Sequence, residues 1–232
     1  MRAPCLLCTV LALACGAAAQ AGWRAAAYLG GAVNHGSWLR VEQPARGTRF
    51  ELRGVSYEGR SLEPPVYYGY RLGYFFGRFG VEAEFVHQKI YARAERVVEA
   101  QGTLHGAPVA GRLPMQQIVE QFSISHGLNL LLANVVWERP MGARSFLQLR
   151  FGAGPTIPHA ESLLQGEGRQ GYQLGRPAAQ AAAGLEIRLW RALHLLGEYK
   201  FTHTRQRVKI AAGHAETLVR SHHGVFGVGL RF

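Results

Sequence analysis

The 232-residue sequence predicts an all-β protein, an eight-stranded antiparallel up-and-down transmembrane β-barrel with short periplasmic turns and long extracellular loops. Three observations predict this fold. Apolar residues occupy every second position over long stretches, and the positions between them hold glycine, amides or charges, as in strands with one lipid-facing side. Tight turns alternate with long polar segments. Transmembrane helices are excluded because no run of about 18 uncharged apolar residues occurs.

The first segment, residues 1–21, is predicted to be a cleaved signal peptide. Arg2 supplies a positive start, residues 5–14 form an apolar core, and Ala19-x-Ala21 fits a signal peptidase site. We therefore expect an exported protein.

The barrel domain is predicted to comprise residues 22–232. The cysteines all precede it, so we expect no disulfide and no thiolate metal site in this domain. A lipoprotein attachment at Cys15 is an alternative, but the residues before Cys15 fit that signal less well. All 15 acidic residues are Glu, which excludes chemistry that requires Asp.

Eight strands follow from the alternation. They are predicted at about 23–34, 65–76, 79–89, 118–137, 144–156, 174–189, 193–203 and 218–232. We expect part of the fourth strand to extend beyond the membrane. Tight turns lie near residues 77, 140 and 191, at one end of the barrel. The long polar segments are 35–64, 90–117, 158–173 and 204–217, and they are predicted to be the extracellular loops.

A soluble periplasmic barrel or lipocalin-like cup would also show alternating residues, with its large apolar side chains turned inward. The turn pattern favours the bacterial outer membrane instead. The aromatic residue Phe232 on the last predicted strand resembles the signal that the outer-membrane assembly machinery reads. Trp23, Tyr74, Trp137 and Trp190 lie near the predicted periplasmic turns, as an interfacial girdle would. Expected partners are this machinery and outer-membrane lipids.

Polar residues on the second face are predicted to fill the barrel, because eight strands leave room for side chains and not for an open pore. The predicted inward set is Tyr28, Arg71, Glu82, Glu84, Asn129, Gln148, Arg150, Gln180, Glu186, Arg188, Glu198 and Lys200. Its charges should pair, since unpaired buried charges cost several kcal/mol each. A catalytic or proton-relay role for Glu84 and Glu198 is the alternative. Alternation does not fix the facing of Asn134 or His87.

Nine of the ten histidines lie in or beside the predicted extracellular loops. His126, His159 and His203 could converge at the rim and, with Glu161, bind a divalent metal ion. The alternatives are solvated histidines or contacts with lipid phosphates.

The loops and their bases are rich in arginine. These residues are Arg40, Arg46, Arg49, Arg53, Arg60, Arg93, Arg96, Arg112, Arg205, Arg207 and Arg220. Guanidinium groups suit the phosphates of lipopolysaccharide, which is the expected anionic partner in the outer leaflet. Nucleic acid is not an expected partner, because the protein is exported and lacks a recognition module.

Several strings together resemble the bacterial outer-membrane barrels known as lipid A oxidases. They begin at Gly54 (GVSYEGRSLEPP), Phe85 (FVHQKIYA), His126 (HGLNLL), Gly152 (GAGPTIPHAE), Gly175 (GRPAAQ) and Leu196 (LGEYKFT). The resemblance covers most of the chain after the signal peptide, in matching order. It implies oxygen-dependent conversion of the proximal glucosamine of lipid A to 2-aminogluconate. No catalytic residues carry over from the family.

The sequence therefore favours a lipid A oxidase-like barrel that acts on or binds lipid A in the outer leaflet. Candidate catalytic residues are His87, Glu84 and Glu198. A bound metal is the expected route to oxygen chemistry, because no flavin or nicotinamide motif occurs. The alternatives are a non-enzymatic structural barrel and a surface-binding barrel or narrow conduit.

Overall fold

A computed structural model of the protein describes residues 21–232. The predicted signal peptide, apart from Ala21, lies outside the described residues. No α-helix long and apolar enough to cross a bilayer occurs in the described part of the chain.

Fifteen strands make up the described structure, together with two short 3₁₀ turns. The strands are β1 (Gly22–Asn34), β2 (Ser37–Gln43), β3 (Thr48–Val55), β4 (Tyr57–Glu58), β5 (Tyr68–Phe76), β6 (Phe79–Ala92), β7 (Val97–Leu104), β8 (Ala107–Pro114), β9 (Val119–Pro140), β10 (Ser145–Gly154), β11 (Thr156–Leu164), β12 (Glu167–Tyr172), β13 (Ala178–Trp190), β14 (Leu193–Ile210) and β15 (Gly213–Arg231). The 3₁₀ turns are Pro44–Arg46 and Met115–Gln117.

Eight of these strands form a closed antiparallel ring in the order β1-β5-β6-β9-β10-β13-β14-β15. The ring closes between β1 and β15, in register from Arg24 opposite Arg231 to Asn34 opposite Ser221. The predicted eight-stranded barrel is confirmed, and each ring strand lies within a few residues of its predicted position, apart from the extensions described below.

The half of the ring next to the tight turns exposes apolar side chains on its outer surface. Leu72 is 53% exposed, Val135 59%, Phe151 63% and Phe226 64%. An apolar belt around a closed ring with a charged interior is the architecture of an outer-membrane β-barrel. The soluble cup, which needs the opposite orientation, is excluded.

The charged interior of this half pairs its charges. Its carboxylates are Glu82, Glu84, Glu138, Glu186 and Glu198, and its cations are Arg24, Arg71, Arg150, Lys200 and Arg231. Five formal negative charges thus face five positive ones. The predicted ion network is confirmed, and it fills the barrel.

Two residues of the predicted inward set lie elsewhere, and one residue outside that set lies inside. Asn129 is on the outer face of β9, because the interior at this height is already apolar and takes Leu128 and Leu130 instead. Arg188 is exposed at the periplasmic end, where it donates to the Ala143 carbonyl at 2.8 Å. Asn134, whose facing alternation left open, is buried and donates to Glu84 at 2.9 Å.

The four long polar segments connect the ring strands on the extracellular side, as predicted, but they consist largely of strands. Strands β2, β3, β7 and β8 continue from the upper part of β15 as one sheet, and β11 and β12 extend from β9. Beneath them lies a second core that is apolar. Its fully or nearly fully buried members include Leu39, Val41, Phe50, Leu52, Ile90, Val98, Met115, Phe122, Ile124 and Val208. The molecule therefore has a membrane half and an extracellular half.

Candidate outer-face site

A bulge in β9 creates the site. Leu128 pairs with Gln88 of β6 and Pro158 of β11, and Ile124 pairs with Ile90 and Ala160 of the same two strands. The three residues between them on β9, 125–127, thus oppose one residue on each neighbour. Bulges of this kind break the ladder and redirect a side chain, often beside functional sites.

The bulge turns His126 outward, where it meets two side chains of β11. His159 and Glu161 are two residues apart and therefore share the outer face. The Nδ1 atom of His126 lies 2.8 Å from Glu161 Oε1, and Nδ1 of His159 lies 3.5 Å from the same oxygen. One ligand atom from each residue lies within 4.8 Å of the others.

Burial of this cluster is graded toward the solvent. The side chains of His159 and Glu161 are 13% and 17% exposed, whereas that of His126 is 61% exposed. Nδ1 of His159 is buried and has no hydrogen-bond partner in the described structure. A buried ring nitrogen without a partner is costly unless a ligand occupies it. The cluster therefore has the donors and the open side of a three-ligand metal site.

Neighbouring side chains hold the cluster in place. The Ser125 hydroxyl donates to Glu161, and the Tyr172 hydroxyl donates to the His126 carbonyl at 3.2 Å. The Tyr172 ring packs edge-on against His159, with centroids 4.5 Å apart. These contacts hold the Glu161 carboxylate, the His159 ring and the backbone of His126 in place.

His87 lies beside the bulge, on the same outer face. A Cβ added to Gly127, which has φ +120°, would approach His87 Cε1 to 2.6 Å, so only glycine permits this contact. His87 Nδ1 lies 2.8 Å from Asn129 Oδ1, and the Asn129 amide donates to the Ile157 carbonyl at 3.2 Å. Since the amide NH₂ is thus engaged, the amide oxygen faces the ring, and His87 must donate from Nδ1.

This donation leaves the Nε2 lone pair of His87 as an acceptor when the ring is neutral. Nε2 is buried and has no hydrogen-bond partner among the described residues. The Tyr68 ring stacks on His87 with centroids 4.9 Å apart and covers it from the lipid side.

The site lies near the outer edge of the membrane. Phe79, at the periplasmic turn, and His87 are eight residues apart on β6. Eight residues rise about 26 Å along a strand, or about 20 Å across the membrane at a tilt near 40°. The apolar belt of such barrels is about 25 Å tall, so His87 lies about 5 Å inside its outer edge. The bulge at 125–127 is opposite Lys89, two residues further along β6, so the histidine cluster lies at the edge of the belt, beside the lipid headgroups.

The other predicted site residues lie elsewhere. Glu84 and Glu198 point into the barrel, on the other side of the wall from His126. Glu84 accepts hydrogen bonds from Tyr28 and Lys200, and Arg71 pairs with both carboxylates.

His203 is exposed on β14, three strands from β9 in the ring, and does not join the cluster. Another pair of histidines meets on the outer face there, since His35 Nε2 and His222 Nε2 are 2.6 Å apart. Inside the wall, His223 contacts the hydroxyls of Tyr67 and Thr202. The rim histidines thus divide into separate groups.

The supporting residues Ser125, Asn129 and Tyr172 were not among the sequence candidates. One signal was present, because Gly127 lies inside the fourth predicted strand, and glycine inside a strand suggests a bulge.

Carboxylates above the membrane are held ionised by arginine. Burial raises the pKa of Glu58, but hydrogen bonds and charge from Arg60 and Arg93 outweigh it and hold the pKa below its usual value. The same balance, between burial and the guanidinium groups of Arg205 and Arg176, lowers the pKa of Glu216. Much of the extracellular arginine is therefore neutralised within the protein.

Comparison with known proteins shows likeness of fold only. No protein-family model matches the chain, and neither does any curated sequence. Among solved structures, Neisserial surface protein A is 12% identical with a TM-score of 0.45, covering 92% of this chain and 99% of its own. The outer membrane protease OmpT from Escherichia coli is 8% identical with a TM-score of 0.48, covering 91% and 97%. Ail of Yersinia pestis, in complex with the heparin analogue sucrose octasulfate, is 14% identical with a TM-score of 0.40, covering 91% and 99%.

Proposed function

We propose that this outer-membrane barrel oxidises lipid A in the outer leaflet, at an outer-face site built on His126, His159 and Glu161. The observation that carries the proposal is the convergence of these three ligand groups at headgroup level, on the side of the wall that faces lipid. An enzyme acting on a membrane lipid needs its reactive groups in this position. The family resemblance of the sequence supplies the reaction.

The donor set fits a divalent metal ion. Two imidazoles and one carboxylate with open positions form the ligand set of non-haem iron oxygenases, and the same donors also bind zinc. The unpartnered Nδ1 of His159 and the nearby Oε1 of Glu161 are the atoms that such an ion would contact. A bound iron would supply the means of passing electrons from a sugar to dioxygen.

The proposed reaction needs a proximal glucosamine whose anomeric hydroxyl is free. Its C1–H and O1–H bonds break, and the two electrons and two protons go to dioxygen, which becomes hydrogen peroxide. The sugar becomes a lactone, and one water molecule then opens it to 2-aminogluconate. The net gain of the lipid is one oxygen atom.

His87 is proposed to accept the proton of the anomeric hydroxyl. Its Nδ1 is engaged by Asn129, which leaves the lone pair on Nε2 free to act as a base. Nε2 is buried and the Tyr68 ring stacks on the imidazole, so we propose that the lipid displaces the Tyr68 ring when it binds. Glu84 and Glu198 have no role in this proposal other than stabilising the barrel.

A surface-binding barrel without enzymatic activity is a second candidate. The extracellular half has its own apolar core and strands that extend well above the membrane. Such a rigid, charged platform is typical of proteins that bind partners outside the cell.

The test measures metal content and lipid mass in parallel. Purified protein in detergent is loaded with Fe²⁺ without air, desalted and analysed for metal. It is then mixed with lipid A lacking the anomeric phosphate, in air, and the lipid is examined by mass spectrometry. We expect about one ion per chain and the gain of one oxygen atom.

His159→Ala should lose both the metal and the oxidation, and His87→Gln should keep the metal but slow the oxidation at least about 100-fold, the scale of a lost general base. The matched control is His203→Ala, an exposed outer histidine outside the cluster, which should retain both. An unchanged lipid mass with metal bound would reject the oxidase, and metal retention in His159→Ala would reject the site.

A further inference from the structure

The extracellular sheet is open between β12 and β14. Strand β12 pairs only with β11, and β14 pairs with β13 no further than Thr204, opposite Ala178. Above Thr204, one edge of β14 therefore has no strand beside it in the described structure. Strand edges without a neighbour present backbone groups that can bind a ligand.

A cleft of about 710 Å³ occupies this opening. Its lining includes Arg169 from β12 and Arg207 and Lys209 from β14, and no acidic residue lines it. Arg207 donates to the ring of His214 at 2.6 Å, and His214 in turn contacts Glu42 at 2.9 Å. None of the three cations forms an ion pair with a carboxylate within the described residues. Their positive charge is therefore available to a ligand.

A second cleft on the extracellular half also contains arginine, but its charges are paired. Its volume is about 540 Å³, and Arg40, Arg49, Arg53 and Arg205 line it. Here the arginines are matched, because Glu51 binds Arg40 and Arg53, Glu216 binds Arg205, and Glu42 contacts Arg49. The protein thus neutralises one cleft and leaves the other positive.

The height of the positive cleft indicates the kind of anion. The outward row of β14 changes from apolar to charged after Phe201, and Lys209 is eight residues further on. Lys209 is thus sixteen residues beyond Leu193 at the periplasmic turn, or about 40 Å across the membrane, which places it about 15 Å above a belt 25 Å tall. The headgroup layer extends only about 5–8 Å. Lipid phosphates cannot reach it, but the sugars attached to lipopolysaccharide can.

Exposed side chains at the edge of the opening suit a sugar. Leu174 lines the cleft and is 78% exposed, and Tyr172, two residues earlier, is 62% exposed with its ring against His159. Aromatic and apolar surfaces next to charged donors are typical of sites that take a ring with anionic substituents.

We propose that the cleft between β12 and β14 binds a phosphorylated saccharide of the lipopolysaccharide core. Arg169, Arg207 and Lys209 contact its phosphates. The strand edges meet its hydroxyls, apart from the Lys209 N–H, which already donates to the Gln173 side chain at 3.1 Å. The site does not depend on the oxidase proposal, although it would hold the same lipopolysaccharide molecule whose lipid part reaches His126.

The experiment measures binding to the core saccharide alone. The probe is the phosphorylated core oligosaccharide released from lipopolysaccharide by mild acid, titrated calorimetrically into the full-length protein in detergent. We expect binding that weakens as salt rises, because unpaired surface charges are screened. The same oligosaccharide after removal of its phosphates should bind at least about tenfold more weakly, since charge-assisted hydrogen bonds are lost.

The double variant Arg169→Gln/Lys209→Gln should also bind at least about tenfold more weakly. The control Arg40→Gln/Arg53→Gln, in the neutralised cleft, should bind like the unaltered protein. Equal binding of the dephosphorylated sugar, or equal losses in the two double variants, would overturn the proposal. The proposal would also be overturned if the core saccharide did not bind but lipid A did, and if Arg169→Gln/Lys209→Gln abolished that binding of lipid A. Lipid A oxidation in these variants is a separate measurement, so the two proposals can fail independently.

Discussion

The membrane half and the extracellular half are built on the same strands with opposite arrangements of polarity. Along β14, the inward row contains Glu198 and Lys200 in the membrane half and ends with Val208 and Ile210 in the extracellular half. Its outward row changes in the opposite sense, from Leu195 and Tyr199 to Arg205, Arg207 and Lys209. The alternation never changes phase. The solvent outside changes from lipid to water, and the side chains on both faces change with it.

Energetics differ between the halves as well. In the membrane half, hydrocarbon outside gives no hydrophobic driving force for closing the ring, so backbone pairing and the interior ion network hold it together. In the extracellular half, burial of apolar side chains is the main stabilising term. The same substitution should therefore have very different effects in the two halves.

The largest expected effect comes from the interior network. Glu84→Ala leaves Lys200 and Arg71 with too little negative charge in a buried site, which should cost about 3–5 kcal/mol of unfolding free energy. Urea unfolding in detergent micelles, followed by tryptophan fluorescence, measures this loss. Glu51→Ala removes a carboxylate that also binds two arginines, Arg40 and Arg53, but at the surface of the extracellular half. That change should cost less than about 1 kcal/mol, and equal losses would show that the two halves do not differ as described.

A smaller effect is expected from adding a charge to the outer surface. Leu72 pairs with Ala83 near the middle of the lipid-facing belt, and Leu72→Arg should destabilise folding into lipid vesicles by about 2–4 kcal/mol. Val97 of β7 is equally exposed, at 50% against 53%, but it faces water. Val97→Arg should therefore change the folding free energy by less than about 0.5 kcal/mol. A similar cost at both positions would contradict the position of the membrane.

The smallest effect concerns pH and the extracellular half alone. The folded-state pKa of Glu216 lies below its usual value of 4.5, because its arginine partners outweigh burial. A carboxylate whose pKa is lowered by folding adds stability above the unfolded pKa and loses it as the pH falls through the folded pKa. Below about pH 4.5 we expect faster hydrogen exchange in β2 and in residues 214–217, with a loss of about 0.5 kcal/mol or less because solvent screens the pair. Glu216→Gln should abolish this pH dependence without changing exchange in the membrane half.

The ring could be predicted from the sequence because lipid imposes a strict rule on one face of every strand. The alternation therefore predicts correctly that polar residues such as Arg71, Glu82 and Arg150 face the interior. The prediction that Asn129 faces inward is wrong, because polar residues no longer need to face inward near the outer edge of the membrane. There the interior is filled by Leu128 and Leu130.

The sequence pattern does not predict the additional extracellular strands, for a related reason. Residues 38–42 (WLRVE) alternate as clearly as the ring strands, but their charged side chains face outward, so the composition of the segment predicts a polar loop. The candidate site could be predicted only as a set of residue types. The meeting of His126, His159 and Glu161 depends on the bulge at 125–127, and the pairing on its two sides cannot be deduced from the spacing of residues in the chain.

The ion network that fills the ring has a consequence for transport. A cylinder whose axis is occupied by interlocked guanidinium and carboxylate groups offers no water column, so ions and nutrients do not diffuse through it. In a planar bilayer the reconstituted protein should carry no steady current. Ligands can therefore bind only on the outer face of the barrel or on the extracellular half, where the histidine cluster and the positive cleft lie.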